Sequence, residues 1–158
     1  DGKRFVHDEI GWNYRFTNMQ AAIGLAQLEN IDEHVLRKRK IGKLYVDLLS
    51  DLEAVELPPE STEYAENIYW VFGLILKDNI TLNVGDIMMK LKRRGIGSRP
   101  FFYPMHMQPV FIKMGLFKNE KFPISENMAH RGFYIPSGLG CNESQVVQVT
   151  EALKSILN

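Results

Sequence analysis

Two short stretches of the sequence concentrate side chains that could bind an anion, a sugar or a cofactor. In the first stretch, Trp12, Asn13 and Arg15 come directly before a predicted helix. The amide of Asn13 and the guanidinium of Arg15 could each donate hydrogen bonds to an anion such as a phosphate. A helix start capped by its own polar residues accounts for the same pattern without a ligand. On the residues alone, the capped helix start is the better interpretation.

The second stretch, residues 95–109, places Tyr103 and His106 in a loop that three prolines shape. Loops with aromatic residues and a titratable histidine are frequent sites of ligand contact. A packed aromatic loop with a structural His106 is the alternative. The residues alone favour neither interpretation over the other.

Other candidate motifs have simpler explanations. Neighbouring residues 7–9 (His-Asp-Glu) cannot converge on one metal ion, so a solvated loop is preferred and no metal site is predicted. The basic runs 37–40 and 90–94 lie on predicted amphipathic helices, where a solvated face is the better interpretation. Gly138-Leu139-Gly140 lacks the lysine and the spacing of a phosphate-binding loop, and it is interpreted as a turn.

Composition limits the class of protein. The chain has 158 residues, of which 45% are apolar and 24% charged, as in an ordinary globular domain. Nineteen basic residues balance nineteen acidic ones, so no global field would attract nucleic acid or anionic lipid. The single Cys141 excludes an internal disulfide, and no apolar run is long enough for a membrane span. We therefore expect a cytoplasmic protein without nucleic-acid or membrane partners, and we interpret the first residues as a cut inside a longer chain.

The elements that position the two stretches follow from hydrophobic spacing. The spacing predicts a long helix over 18–52, capped by Thr17 or Asn18, and a buried strand over 68–76. Helices are expected from Asn83 or Thr81 to a stop at Gly95, over 110–116 and 124–131, and from 143 to 157. Further strands are expected in 96–110 and at 132–135. The prediction is an α/β (α+β) domain, a small sheet covered by helices and entered by a long N-terminal helix.

Three segments resemble one enzyme family in order along the chain. Residues 10–28 (IGWNYRFTNMQAAIGLAQL) strongly resemble a motif of the DegT/StrS-type sugar aminotransferases, which depend on pyridoxal phosphate. The segments GIGSR (95–99) with YPMHMQP (103–109), and AHRGFYIPS (129–137), are similar to two later motifs of the same family. His7-Asp8 ahead of the first motif resembles the perosamine-synthase group. Trp12, Phe16 and Ser137 stand where the family usually has other residues.

The resemblance implies a fold for this chain and a role for each of its two parts. The fold would be the small C-terminal domain of the aspartate-aminotransferase (type I) fold, formed by residues 18–158. Residues 1–17, called the arm below, would belong to the large-domain and dimer interface. The family's Schiff-base lysine lies upstream of the first motif, so no catalytic residue is assigned here and the chain alone is expected to be inactive. The arm has no period that could bury one face, so we expect the chain itself to hold residues 1–16 poorly.

The resemblance also implies ligands for the site residues. Asn13 would donate to the phosphate of pyridoxal 5'-phosphate across the interface of a homodimer. Trp12 and Arg15 would line the same site, and Tyr103 and His106 would lie near the sugar. The implied reaction is amination of a nucleotide-linked 4-keto-6-deoxy sugar, with glutamate as donor, for lipopolysaccharide O-antigen or another surface glycoconjugate. Two alternatives stay open: a pyridoxal phosphate-dependent sugar dehydratase, and a non-catalytic dimerisation or ligand-binding module.

Overall fold

Six helices and four short strands follow one another in the computed structural model, which describes residues 4–157. The helices are α1 (Asn18–Leu28), α2 (Ile31–Leu49), α3 (Val84–Arg93), α4 (Pro109–Lys113), α5 (Pro123–Arg131) and α6 (Glu143–Leu157). The strands are β1 (Val55–Glu56), β2 (Phe72–Leu76), β3 (Arg99–Pro100) and β4 (Gly132–Ile135). The predicted strand at 132–135 and the predicted last helix are confirmed within these bounds.

All four strands form one antiparallel sheet in the order β1-β2-β4-β3. The central pair is β2 with β4, where Phe72 lies opposite Ile135 and Leu74 opposite Phe133. At one edge, β3 pairs Arg99 with Tyr134. After Pro100 the N–H of Phe101 still donates to the carbonyl of Gly132 at 3.3 Å, and the chain then enters the loop that carries Tyr103 and His106.

The core lies between one face of the sheet and helices α2, α3 and α6. Alternate residues of β2 point into it, as expected for a strand with one buried face. The rings of Tyr45 and Phe72 lie 4.8 Å apart, and the Tyr45 hydroxyl donates to the carbonyl of Pro136 at 2.6 Å. The largest fully buried side chains are Tyr45, Phe72, Phe133, Leu49, Leu74, Ile87, Leu91, Leu153 and Val146.

The predicted long helix over 18–52 is wrong, because two helices occupy that segment. Asn30 leaves the helical region, with φ −115° and ψ 18°. The Asn30 side chain donates to the carbonyl of Ala26 at 3.1 Å. This carbonyl would otherwise accept from a backbone N–H one helical turn later, so the side chain competes with continuation of the helix. The predicted cap at Thr17 is confirmed, since Thr17 and Gln20 form a capping box. Consequently α1 is a separate helix, and none of its residues is buried.

Candidate active site

The tip of the arm holds Trp12, Asn13 and Arg15 away from the rest of the chain. All three residues are exposed, and the hydrogen bonds and ion pairs of residues 4–157 include none from their side chains. Trp12 is 80% exposed, as expected for a side chain whose contacts lie outside this chain. The structure therefore leaves the amide of Asn13 and the guanidinium of Arg15 available as donors, and it does not bring them together with Tyr103 and His106.

The base of the arm is held more firmly than predicted. The backbone of Phe5 and His7 bonds to the side chain of Gln108, and Phe5 packs on Phe102 with ring centroids 4.7 Å apart. The expectation that the chain holds residues 1–16 poorly is therefore wrong for residues 5–8. Hydrophobic periodicity could not find this contact, because it joins positions about a hundred residues apart. Residues 1–3 lie outside the described part of the chain.

Tyr103 and His106 line one cleft, as the sequence predicts for residues of a single loop. The cleft has a volume of about 540 Å³ and is closed on its other side by residues 116–120, between α4 and α5. His106 lies in a 3₁₀ turn at Met105–Met107, which Pro104 precedes in extended conformation. The prolines thus shape the backbone so that both side chains face the same space. This cavity is called the 103–106 cleft below.

His106 is fixed within the cleft by a residue that sequence reasoning missed. Its Nε2 lies 2.9 Å from Oε1 of Glu126, and its ring packs 4.8 Å from the ring of Phe122. The same carboxylate oxygen accepts from the backbone N–H of Phe122 at 2.8 Å, where α5 begins. That N–H, followed by the His106 ring, holds the pKa of Glu126 below its ordinary value of 4.5. An acidic residue in the first helical turn after Pro123 was the available sequence signal.

A second cavity, of about 560 Å³, lies at the edge of the sheet and shares no lining residue with the 103–106 cleft. Arg99 is its one charged lining residue, and Trp70, Phe102 and Tyr134 supply aromatic surface. Burial raises the pKa of the Tyr134 phenol, so this hydroxyl stays protonated and can donate. Cationic and aromatic groups together suit a ligand that carries an anion and a planar ring. This cavity is called the Arg99 groove, and no motif in the sequence pointed to Trp70 as part of it.

Two residues of the basic run 37–40 bind the chain's own loops, so its interpretation as a solvated helix face is wrong for Lys38 and Arg39, whereas Lys40 stays exposed. Lys38 donates to the backbone carbonyl and the hydroxyl of Ser137, the latter at 3.3 Å. Burial lowers the pKa of Lys38, an effect that Cys141 partly opposes. Arg39 pairs with Glu66 at 2.8 Å, and Lys40 pairs with a glutamate of α6. Ser137, unusual at its place in the third motif, thus anchors the loop after β4.

The described residues form neither a metal-binding cluster nor a membrane-spanning helix. Within residues 4–157, three or more His, Cys, Asp and Glu side chains nowhere converge as a metal would require. No helix in the same part of the chain has both the length and the apolar composition to cross a bilayer.

Comparison with known proteins gives a consistent result along the whole chain. Residues 1–154 match the model of the DegT/DnrJ/EryC1/StrS aminotransferase family. GDP-perosamine synthase of Vibrio cholerae is 36% identical over 157 residues, which cover 99% of this chain and 42% of that protein. The chain spans about two fifths of the length of the curated relatives it matches.

Two solved structures share the fold. Helicobacter pylori PseC, an aminotransferase involved in the biosynthesis of pseudoaminic acid, has a TM-score of 0.76 at 16% identity over 94% of this chain and 39% of its own. The GDP-4-keto-6-deoxy-D-mannose-3-dehydratase of E. coli, with bound hydrated pyridoxal phosphate, has a TM-score of 0.70 at 19% identity over 90% of this chain and 36% of its own. At these identities the likeness shows the fold alone, and it confirms the predicted fold class.

Proposed function

Because the chain belongs to the DegT/DnrJ/EryC1/StrS aminotransferase family, we propose that the complete protein aminates a nucleotide-linked 4-keto-6-deoxy sugar. Members of this family depend on pyridoxal phosphate, and glutamate is the proposed amino donor. The observation that carries the proposal is the 36% identity to a GDP-perosamine synthase over 99% of the chain. In this proposal, residues outside these 158 bond covalently to the cofactor, and this chain supplies phosphate and sugar contacts.

The arm fits the role of a phosphate-binding segment. Asn13 is exposed four residues before the cap of α1, and its amide N–H donors suit phosphate oxygens. The Thr17–Gln20 capping box fixes the start of α1, which limits how far the arm can move. When bound, pyridoxal phosphate would act as the electron sink of the reaction and carry the amino group from donor to acceptor. Asn13 would donate to its phosphate in the other subunit of a homodimer, and Arg15 would bind an anionic group of donor or substrate.

The 103–106 cleft and the Arg99 groove supply the contacts for the sugar nucleotide in this proposal. Tyr103 would bind a sugar hydroxyl. His106, whose ring is oriented by its hydrogen bond to Glu126, would bind a second sugar hydroxyl. Arg99 would bind an anionic group, since a guanidinium forms paired hydrogen bonds to phosphate or carboxylate. Trp12 would stack on a planar or apolar part of the ligand. The amino sugar would be made in the cytoplasm and incorporated into a surface polysaccharide such as O-antigen.

Product analysis tests this function against its two alternatives. The complete protein would be incubated with pyridoxal phosphate, glutamate and GDP-4-keto-6-deoxymannose, and the sugar nucleotide then examined by mass spectrometry. A product in which an amine replaces the C4 carbonyl, with one 2-oxoglutarate released per sugar, supports the aminotransferase. Loss of the C3 hydroxyl without retained nitrogen would identify a dehydratase instead. Binding of the sugar nucleotide without any change of mass would identify a non-catalytic module.

A further inference from the structure

Gln108 is a buried polar side chain to which the proposed function assigns no ligand. It is 5% exposed, and all of its amide groups have partners. Its Oε1 accepts from the backbone N–H of His7 at 2.9 Å. Its Nε2 donates to the carbonyl of Phe5 at 2.7 Å and lies 3.4 Å from the carbonyl of Tyr103. A fourth bond runs from the N–H of Val110 to the carbonyl of His7 at 3.1 Å.

These bonds give the arm a short, strand-like attachment. Gln108 offers one acceptor and two donors, the set needed to satisfy an N–H and two carbonyls at once. Because these bonds are partly buried, leaving any of the groups unpaired would cost more than the same loss at a fully exposed site. The other contacts of the arm's base are weaker: the Phe5–Phe102 ring pair and an exposed Lys113–Asp8 ion pair at 3.3 Å.

The attachment joins the two parts of the proposed site. Gln108 follows His106 by two residues and bonds the carbonyl of Tyr103, so its position depends on the 103–106 cleft. On the arm side, Asn13 follows His7 by six residues, which limits it to within roughly 20 Å of the attachment even when extended. We propose that Gln108 is a positioning residue, which ties the arm to the 103–106 cleft and through the arm holds Asn13 where it can bind the cofactor phosphate.

Amide hydrogen exchange in the complete protein tests the attachment itself. Gln108→Met keeps the size of the side chain and removes every bond, and Gln108→Glu keeps the acceptor for His7 but places a carboxylate oxygen against two carbonyls. Gln148→Met, on the exposed face of α6, is the matched control. Exchange of the His7 and Val110 N–H groups, which the attachment holds, should accelerate about tenfold in both Gln108 variants and in neither the wild type nor the control. Exchange in α6 should stay unchanged. Unaltered exchange in the arm, or equal acceleration in α6, would overturn the attachment.

A double-mutant cycle on cofactor affinity tests positioning, and this part rests on the proposed function. Asn13→Ala, Gln108→Met and the double variant would each be titrated with pyridoxal phosphate. If Gln108 acts through Asn13, the double variant should bind about as weakly as Asn13→Ala alone, because the second change has nothing left to position. Independent, multiplicative losses, or no loss in Gln108→Met, would contradict positioning. A wild type that binds no pyridoxal phosphate would refute the proposed function, and the exchange measurement would still decide whether Gln108 holds the arm.

Discussion

Asn13 is the residue on which the cofactor assignment depends. Its side chain is exposed and makes no hydrogen bond within residues 4–157, so its removal should leave the fold of this chain intact. One charge-assisted hydrogen bond to a phosphate is worth about 1.5–3 kcal/mol, or roughly 10- to 150-fold in affinity. We therefore predict that Asn13→Ala in the complete protein weakens binding of pyridoxal phosphate by that factor at an unchanged melting temperature. Asn79→Ala, in an exposed turn, is the control; equal affinity in all three proteins would remove Asn13 from the site.

Glu126, which contacts His106 in the 103–106 cleft, contributes to the stability of the fold in a pH-dependent way. Its pKa is held below 4.5, first by the Phe122 N–H and then by His106. A carboxyl whose pKa is lower in the folded than in the unfolded state stabilises the fold at pH values above the unfolded pKa. That stabilisation is lost as the pH falls through the pKa of the folded state. The melting temperature of the wild type should therefore exceed that of Glu126→Gln near pH 6, and the two should converge below about pH 4.5. A difference that stays constant from pH 3 to 7 would contradict this assignment.

Gly42 allows helix α2 to pack closely against Tyr69. A Cβ at Gly42 of α2 would lie 2.3 Å from the ring of Tyr69, so α2 can approach the segment that precedes β2 only without a side chain there. Gly42→Ala should therefore lower the free energy of unfolding by about 1–3 kcal/mol, measured by denaturant titration. A Cβ at Gly24 of α1 would meet nothing within 4 Å. Gly24→Ala should leave this chain as stable or slightly more stable, and an equal loss in both variants would argue against the close contact.

Arg131 holds the turn after β2 and thereby the register of the central strands. Its guanidinium donates to the carbonyls of Leu76 at 2.8 Å and Ile80 at 3.1 Å, and to that of Lys77. Arg131→Met should cost about 1–3 kcal/mol of stability, since the half-buried carbonyls lose a charged donor. Arg131→Lys should recover only part of this, because an ammonium cannot reproduce the planar fork of donors. Full recovery with lysine, in thermal denaturation, would show that charge alone matters.

Local signals predicted the elements well where the physical cause is local. Thr17 and Asn83 act as helix caps, as their side chains suggested. The two-residue strand β1 was missed, because it exists only by pairing with β2. The break at Asn30 has a local cause, the bond from its side chain to Ala26, and it was missed because apolar spacing continues across it.

The candidate site was predictable only in part, because its key contacts are not local. Tyr103 and His106 share a loop, so their common cleft followed from sequence spacing. Glu126 and Gln108 were missed, since their partners lie 20 and about a hundred residues away. Placing Trp12, Asn13 and Arg15 in the site came from family resemblance, because no contact within residues 4–157 positions their side chains.

For the molecule as a whole, the arm and α1 form an apolar surface that this chain does not cover. Exposed members are Trp12, Tyr14 and Phe16 at 80%, 85% and 85%, followed by Met19, Ile23, Leu25 and Leu28. An unpartnered surface of this kind is typical of a protein interface. We predict that Phe16→Ser with Ile23→Ser converts a dimer of the complete protein to monomers, measured by sedimentation. Val147→Ser, exposed on α6, should leave the dimer intact. Dimers that persist in the double variant would place the interface elsewhere.

The most direct test of the account is the position of Asn13 in a crystal structure of the complete protein with pyridoxal phosphate bound. The account predicts that Asn13 Nδ2 lies within about 3.2 Å of a cofactor phosphate oxygen in the neighbouring subunit's site. It also predicts that the 103–106 cleft of this chain opens toward that cofactor. A phosphate bound wholly by other residues, with Asn13 in solvent or buried away from the cofactor, would contradict it.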